Sequence, residues 1–166
     1  MINIDEYLVK LKVIVSEVDG VITDGLITYD ELGNVPFKSF NMQDLDIVNE
    51  LKKTFKFTFL AKDQYVNYNL FRRKNIPFYW AEKEKVEFVT KILHRYEVTL
   101  DEILYIGFGY SDVPCINRIP FSMCPSNANK EVKNKVAVCL NTSSGDGVLY
   151  EVYELLKNEI DRRRLC

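Results

Sequence analysis

With one histidine and four cysteines in 166 residues, the chain has little of what metal centres and nucleophilic triads are built from. Cys115, Cys124, Cys139 and Cys166 show no C-x-x-C spacing, which argues against a zinc site. They read as reduced structural thiols rather than as a disulfide or a reactive pair. His94, between Leu93 and Arg95 in a helical stretch, reads as solvent-facing rather than as the base of a nucleophile–histidine pair. Charge of one sign is lacking too. With 22 basic and 24 acidic residues the net charge is -2, so no global field gathers nucleic acid or an anionic membrane. The run Arg162-Arg163-Arg164 reads as a solvated helix end, where cations suit the helix dipole. No apolar run nears the roughly 20 residues needed to span a bilayer. The opening Met1-Ile2-Asn3-Ile4-Asp5-Glu6 has no basic region followed by a long apolar stretch, so a cytoplasmic location is expected.

What is present is an ordinary globular balance, 47% hydrophobic and 28% charged, at a length that suits one domain over residues 1–166. Residues 11–15 form a continuous apolar run that suits the centre of a parallel sheet. Two short β-like runs follow, 26–29 and 37–40. The turn-rich Asp30-Glu31-Leu32-Gly33-Asn34 between them predicts a protruding β-hairpin over about 26–41. Helical patterns at 43–53, 64–73, 83–96, 111–117 and 129–135 alternate with strand-like runs at 55–60, 77–80, 103–106, around 121 and at 136–140. Val86, Val89, Ile92, Leu93 and Tyr96 share one helical face, and Thr99-Leu100-Asp101-Glu102 has the form of a capping box. A glycine-bearing loop at 143–147 leads to a last helix, with Val148, Val152, Leu155, Leu156 and Ile160 as its expected buried stripe. This rhythm predicts an α/β, Rossmann-like three-layer domain with a central, mainly parallel sheet.

In such sheets ligands bind beyond the carboxyl ends of the strands, which directs attention to residues 16–25, 61–64 and 107–112. The first loop places Glu17 and Asp19 two residues apart at a strand end, where both carboxylates can enter one crevice. Acidic turns also serve solubility, so spacing alone leaves both readings open. Gly107-Phe108-Gly109 lacks the third glycine of a dinucleotide fingerprint. Trp80 and the ten tyrosines read as core and interface packing before base stacking.

The segment Glu17-Val18-Asp19-Gly20-Val21-Ile22-Thr23-Asp24-Gly25 resembles the first motif, DxDGVxTDG, of the 3-deoxy-manno-octulosonate 8-phosphate phosphatase family, within the haloacid dehalogenase superfamily. The resemblance continues through Tyr29 to Asn34, Phe37 to Asn41, Tyr105-Ile106-Gly107, residues 125–133, and Gly145-Asp146-Gly147 with Glu151-Val152. It covers about residues 10–160, and it extends to the phosphatase-like domain of sialic-acid cytidylyltransferases. It implies a haloacid dehalogenase-like fold with no large cap domain. The implied chemistry is a nucleophilic aspartate that forms an aspartyl-phosphate, a second aspartate as acid and base, and magnesium to neutralise the phosphoryl oxygens.

Carried over position by position, the resemblance exposes departures. Glu17 stands at the nucleophile position, and Asp19 keeps the acid/base position. The second-motif hydroxyl falls at Ala61 or Lys62, neither of which has one. Lys85 is the expected phosphate lysine, with Lys83 as a substitute, and Lys38 and Thr23 complete the expected phosphate- or substrate-binding set. The fourth motif, GDDxND in the family, reads Gly107-Phe108-Gly109-Tyr110-Ser111-Asp112, so Phe108 occupies a metal-ligand position. Glu17, Asp19 and Asp112 remain as candidate metal ligands, and the magnesium the family implies is expected to be weak or absent. A glutamate displaces the reactive oxygen by about an ångström, which can cost on the order of 10²-fold in rate.

The sequence therefore leads to a catalytically inactive or severely impaired relative of sugar-phosphate phosphatases, retained for ligand binding, regulation or assembly. One alternative is a slow magnesium-dependent phosphatase of a sugar-acid phosphate. Another is an accessory domain that partners a sugar-nucleotide synthetase. A homotetramer built on the hairpin is expected, with no nucleic acid or membrane partner.

Overall fold

The computed structural model describes residues 4–62, 65–81 and 84–165. Its centre is the apolar run read from the sequence. β1 (Val13–Ser16) lies between β2 (Lys56–Ala61) and β4 (Ile103–Ile106), and β3 (Phe78–Trp80), β5 (Ser122–Cys124) and β6 (Val138–Cys139) extend the sheet outward. All pairings are parallel, in the order β3-β2-β1-β4-β5-β6. Alternate residues of each strand feed opposite cores. Ile14, Phe57, Phe59, Leu104 and Ile106 pack on one side. Val13, Val15, Leu60, Ile103 and Tyr105 pack on the other. Burial on both faces is why these strands read as continuous apolar runs rather than as alternating ones.

The helices that close the first face are α2 (Met42–Leu51) and α7 (Val148–Arg164), which contribute Leu45, Val48, Leu51, Val148, Val152, Leu156 and Ile160. Those of the second are α4 (Lys85–Tyr96), α5 (Val113–Arg118) and α6 (Lys130–Lys133). α3 (Tyr65–Arg73) adds Phe71, stacked on Phe59 with ring centroids 4.5 Å apart. The expected face of α4 is turned inward, with Val89 and Ile92 buried and Val86, Leu93 and Tyr96 packed beside them. His94 is exposed, as its position predicts. The expected capping interaction is present, since Thr99 N–H donates to Glu102 Oε2 at 2.9 Å, although it opens a short 3-10 turn rather than an α-helix.

Three features depart from the sequence reading. Residues 26–41 leave the domain as expected, and the chain reverses at Asp30–Asn34, where Asp30 N–H donates to Asn34 O at 2.9 Å. They form no strands, so the predicted hairpin is a turn-closed excursion rather than a paired ribbon. Leu26, Tyr29 and Phe37 are exposed there, and a two-stranded ribbon without a packed face is marginal. Leu155 is 47% exposed instead of buried, because it lies on the trailing margin of a stripe that advances by fours from Val148 to Ile160. α1 (Ile4–Lys10) was not foreseen. Tyr7 stacks on Phe121 at 5.4 Å, and Arg163 donates to Leu8 O, Val9 O and Leu11 O, so the tertiary context rather than local pattern makes this helix. Gln64, Lys83 and Cys166 lie outside the described residues. Among the described residues no helix is long and apolar enough to cross a membrane.

α2 and α7 are joined by one buried carboxylate. Asp44 Oδ1 accepts from Leu149 N–H (2.9 Å) and Tyr150 N–H (3.1 Å), which satisfies amides of the first turn of α7. Asp44 Oδ2 is buried without a partner. Burial lifts this carboxyl from 3.8 to about 6, against the pull of the α7 amides. The folded chain therefore holds the proton more tightly than the unfolded chain. The associated stability is complete below pH 3.8 and is lost as pH rises through about 6. The prediction concerns urea unfolding of wild type and Asp44→Asn across this window. The difference curve should fall between pH 3.8 and about 6, and a flat one would contradict the assignment.

Candidate functional site

The chain order changes direction at β1. It runs outward to β2 and β3, then returns to β4 on the other side, so a crevice opens between the ends of β1 and β4. Glu17, the first residue after β1, is tied there by its own N–H donating to Ile106 O at 2.8 Å. The crevice encloses about 200 Å³ and is lined by Glu17, Asp19, Lys62, Lys85, Phe108 and Asp112 among others. The three candidate carboxylates are therefore brought to one place by two loops far apart in sequence, the one after β1 and the one after β4.

Lys85, at the start of α4, is 2% exposed and forms the hub. Its ammonium contacts Glu17 Oε2 and Asp112 Oδ1, the latter at 2.6 Å. Glu17 Oε1 also accepts from Val18 N–H at 2.9 Å. Asp112 is fully buried and saturated. Tyr105 Oη donates to its Oδ1 at 2.7 Å, and the N–H groups of Phe108 and Gly109 both donate to Oδ2 at 2.9 Å. Burial, followed by the Asp112 charge, pushes the Tyr105 phenol well above its ordinary range, so it remains a donor. Asp112 thus shapes the loop after β4.

Asp19 is held separately. Lys38, from the excursion, reaches into the crevice with a side chain only 2% exposed and donates to both Asp19 oxygens at 2.9 and 3.0 Å. Thr23 braces the same loop. Its Oγ1 accepts from Gly20 N–H (3.1 Å) and Gly25 N–H (3.3 Å) and lies 3.4 Å from Asp19 Oδ1. The structure gives its hydroxyl to the turn. Lys62 lines the crevice, whereas Ala61 is the buried last residue of β2.

Phe108 stands where the resemblance places a metal ligand. Its ring lies against the backbone of Gly20, such that a Cβ added there would sit 2.0 Å from the ring, and it also contacts Gly25. Both glycines have positive φ, +85° and +82°, so the turn requires them on conformational grounds as well. Magnesium demands near-octahedral oxygen ligation, and an aromatic ring supplies none. Glu17, Asp19 and Asp112 are each already paired with a lysine ammonium. Among the described residues no group of three or more Asp, Glu, His or Cys gathers as a metal set. Phe108 therefore supplies no oxygen ligand at that position.

The sequence reading missed Ile27, which lines the crevice, and Tyr105, which is buried behind it and donates to Asp112. Tyr105 sits in an apolar strand run, where its one polar atom gives no local signal. Among the described residues Cys115, Cys124 and Cys139 are free thiols, the first two buried. Burial pushes Cys115 up to about 12, and burial together with neighbouring Cys139 does the same for Cys124.

Comparison with known proteins places this geometry in context. Residues 26–152 match a family model described as haloacid dehalogenase-like hydrolase. The 3-deoxy-D-manno-octulosonate 8-phosphate phosphatase of Haemophilus influenzae is 28% identical over 152 residues, covering 90% of this chain and 84% of that protein. A cobalt-bound structure of such a phosphatase from Haemophilus influenzae superposes with a TM-score of 0.86 at 26% identity, covering 95% of this chain and 93% of the other. The Moraxella catarrhalis phosphatase, solved with magnesium, phosphate and a KDO molecule, is 18% identical with a TM-score of 0.86, covers 96% and 93%, and so shares the fold. The parallel sheet with its crevice at the β1–β4 switch point and the family match over most of the chain agree: this protein belongs to the haloacid dehalogenase-like hydrolases and is a relative of the 3-deoxy-D-manno-octulosonate 8-phosphate phosphatases.

Proposed function

We propose that this chain is a catalytically inactive or severely impaired relative of sugar-phosphate phosphatases, retained for assembly, regulation or the binding of a small sugar-acid or phosphate ligand. The observation that carries this reading is the Phe108 ring seated on Gly20 and Gly25, beside a Glu17 whose carboxylate is held by Lys85. Attack on phosphorus needs a free carboxylate oxygen in line with the leaving group. Here one Glu17 oxygen meets Lys85 and the other accepts from Val18 N–H. Asp19, the acid/base position, is held by Lys38 through both oxygens. A phosphate or carboxylate ligand entering the crevice would compete with these carboxylates for Lys38 and Lys85.

A second reading is favoured by the relatives, which are named as phosphatases. In it, the chain is a slow magnesium-dependent phosphatase of a sugar-acid phosphate such as 3-deoxy-manno-octulosonate 8-phosphate, using Glu17 or Asp19. Phosphate release separates the two. On a panel of sugar phosphates and p-nitrophenyl phosphate with magnesium, the purified protein should stay at background. A turnover that Asp19→Asn abolishes would establish the second reading instead.

The metal misfit yields its own test. Glu17→Asp alone should leave magnesium binding undetectable by calorimetry, because Phe108 still offers no oxygen. The triple change Glu17→Asp, Phe108→Asp and Gly109→Asp should restore binding. Restoration by the single change would mean that the loop after β4 matters less than its geometry implies.

Assembly is part of the same proposal. Leu26 (78% exposed), Leu32 (87%) and Phe37 (64%) project from an excursion that has no strand partner in its own chain. Large apolar side chains left in water together on one excursion suit an interaction site. Four copies packing through their excursions would cover it, with Ile27 at the mouth of each crevice. Light scattering at micromolar concentration should give four chain masses, and Leu26→Asp with Phe37→Asp should lower the mass. A monomeric wild type would rule this assembly out.

A further inference from the structure

The crevice is close to self-neutralised, since each of its three carboxylates is paired with a lysine. The opposite end of the sheet is not. Below the N-terminal ends of β1 and β2 lies a pocket of about 350 Å³ bordered by Lys12, Lys52, Lys53, Lys56 and Arg163, with no carboxylate in its lining. These cations come from the segment before β1, the turn after α2, the start of β2 and the end of α7.

The pocket has a fixed floor. Arg163 donates to Leu11 O at 2.6 Å and Val9 O at 2.9 Å, contacts Glu159, and lies over the Phe55 ring 5.0 Å from its centroid. That guanidinium is immobilised as a platform. The lysines around it are more available. Lys12 reaches Glu102 and Lys53 reaches Glu50, both at 2.6 Å, but these lysine side chains are 56% and 60% exposed. Pairs so open to water contribute little and exchange readily. Lys52 donates to Asn75 O at 2.6 Å, and Lys56 is exposed with no partner among the described residues. The Thr54 hydroxyl is buried beside them without a partner. Counting the three carboxylates that touch these cations (Glu50, Glu102 and Glu159), five positive charges less three negative leave +2 in a chain whose net charge is -2.

We infer that this pocket at the N-terminal edge of the sheet is a second anion site, separate from the crevice, that takes a chain of two or three phosphates. A single phosphate engages one or two ammonium groups. A di- or triphosphate can extend across several, and Tyr96 on the wall of the pocket offers a surface for an attached ring. The ligand displaces Glu102 and Glu50 from Lys12 and Lys53 and gains Lys56, which has no such partner among the described residues.

Calorimetric titration at near-physiological ionic strength with inorganic tripolyphosphate, a nucleoside triphosphate and monophosphate, all without metal, tests the assignment. Tripolyphosphate should bind at least about tenfold more tightly than monophosphate, and Lys52→Gln with Lys56→Gln should weaken it about tenfold or more. The charge-matched control Lys91→Gln with Lys157→Gln, on exposed positions elsewhere, should weaken it far less. Tighter binding of the nucleotide than of tripolyphosphate, reversed by Tyr96→Ala, would assign the phosphate chain to a nucleotide. Equal binding would assign it to the phosphates alone. No binding, equal loss in the control pair, or loss on Lys62→Gln in the crevice with none on Lys52→Gln/Lys56→Gln would each overturn the proposal.

Discussion

The contact on which the functional end of this molecule depends is the ammonium of Lys85 between Glu17 and Asp112. It joins the first residue after β1, the start of α4 and the loop after β4. All three side chains are almost wholly withdrawn from water. Breaking such a group by removing one member costs about 3–5 kcal/mol, because the remaining charges stay buried and uncompensated. Asp112 adds the phenol of Tyr105 and two backbone amides, so the loop that carries Phe108 is set by the same network.

That placement explains why Phe108 and the first loop suit each other. The amide of Phe108 is tied to Asp112, which directs its ring across the β1–β4 gap onto Gly20 and Gly25. Only residues without a Cβ leave room there. A related protein with an aspartate at this position can present an oxygen to a metal. This chain presents an apolar ring that packs against both cores of the domain. The neighbouring carboxylates Glu17, Asp19 and Asp112 pair with lysines beside it.

Electrostatics and shape divide the molecule into two ends. At the carboxyl end of the sheet, lysines and carboxylates cancel within one crevice, and Lys38 arrives from an excursion whose apolar side chains are left in water. At the amino end, cations from four segments line one pocket and outnumber the carboxylates that touch them. Arg163 links that end to α1, donating to the carbonyls of Leu8 and Val9.

The sequence by itself determined the layered fold, because burial on both faces writes strands such as β1 and β4 as unbroken apolar runs and helices such as α4 as a 3.6-residue stripe. The strand ends also located the loops that carry Glu17, Asp19 and Asp112, whereas Lys85 was indicated by the family resemblance. The tertiary structure alone decided how those charges pair, because side chains separated by tens of residues leave no local trace of which lysine takes which carboxylate. It likewise decided that α1 is helical, through Tyr7 on Phe121 and the hold of Arg163, and that residues 26–41 pair no strands. Both outcomes rest on contacts across the chain, or on their lack, and a period of apolar residues encodes neither.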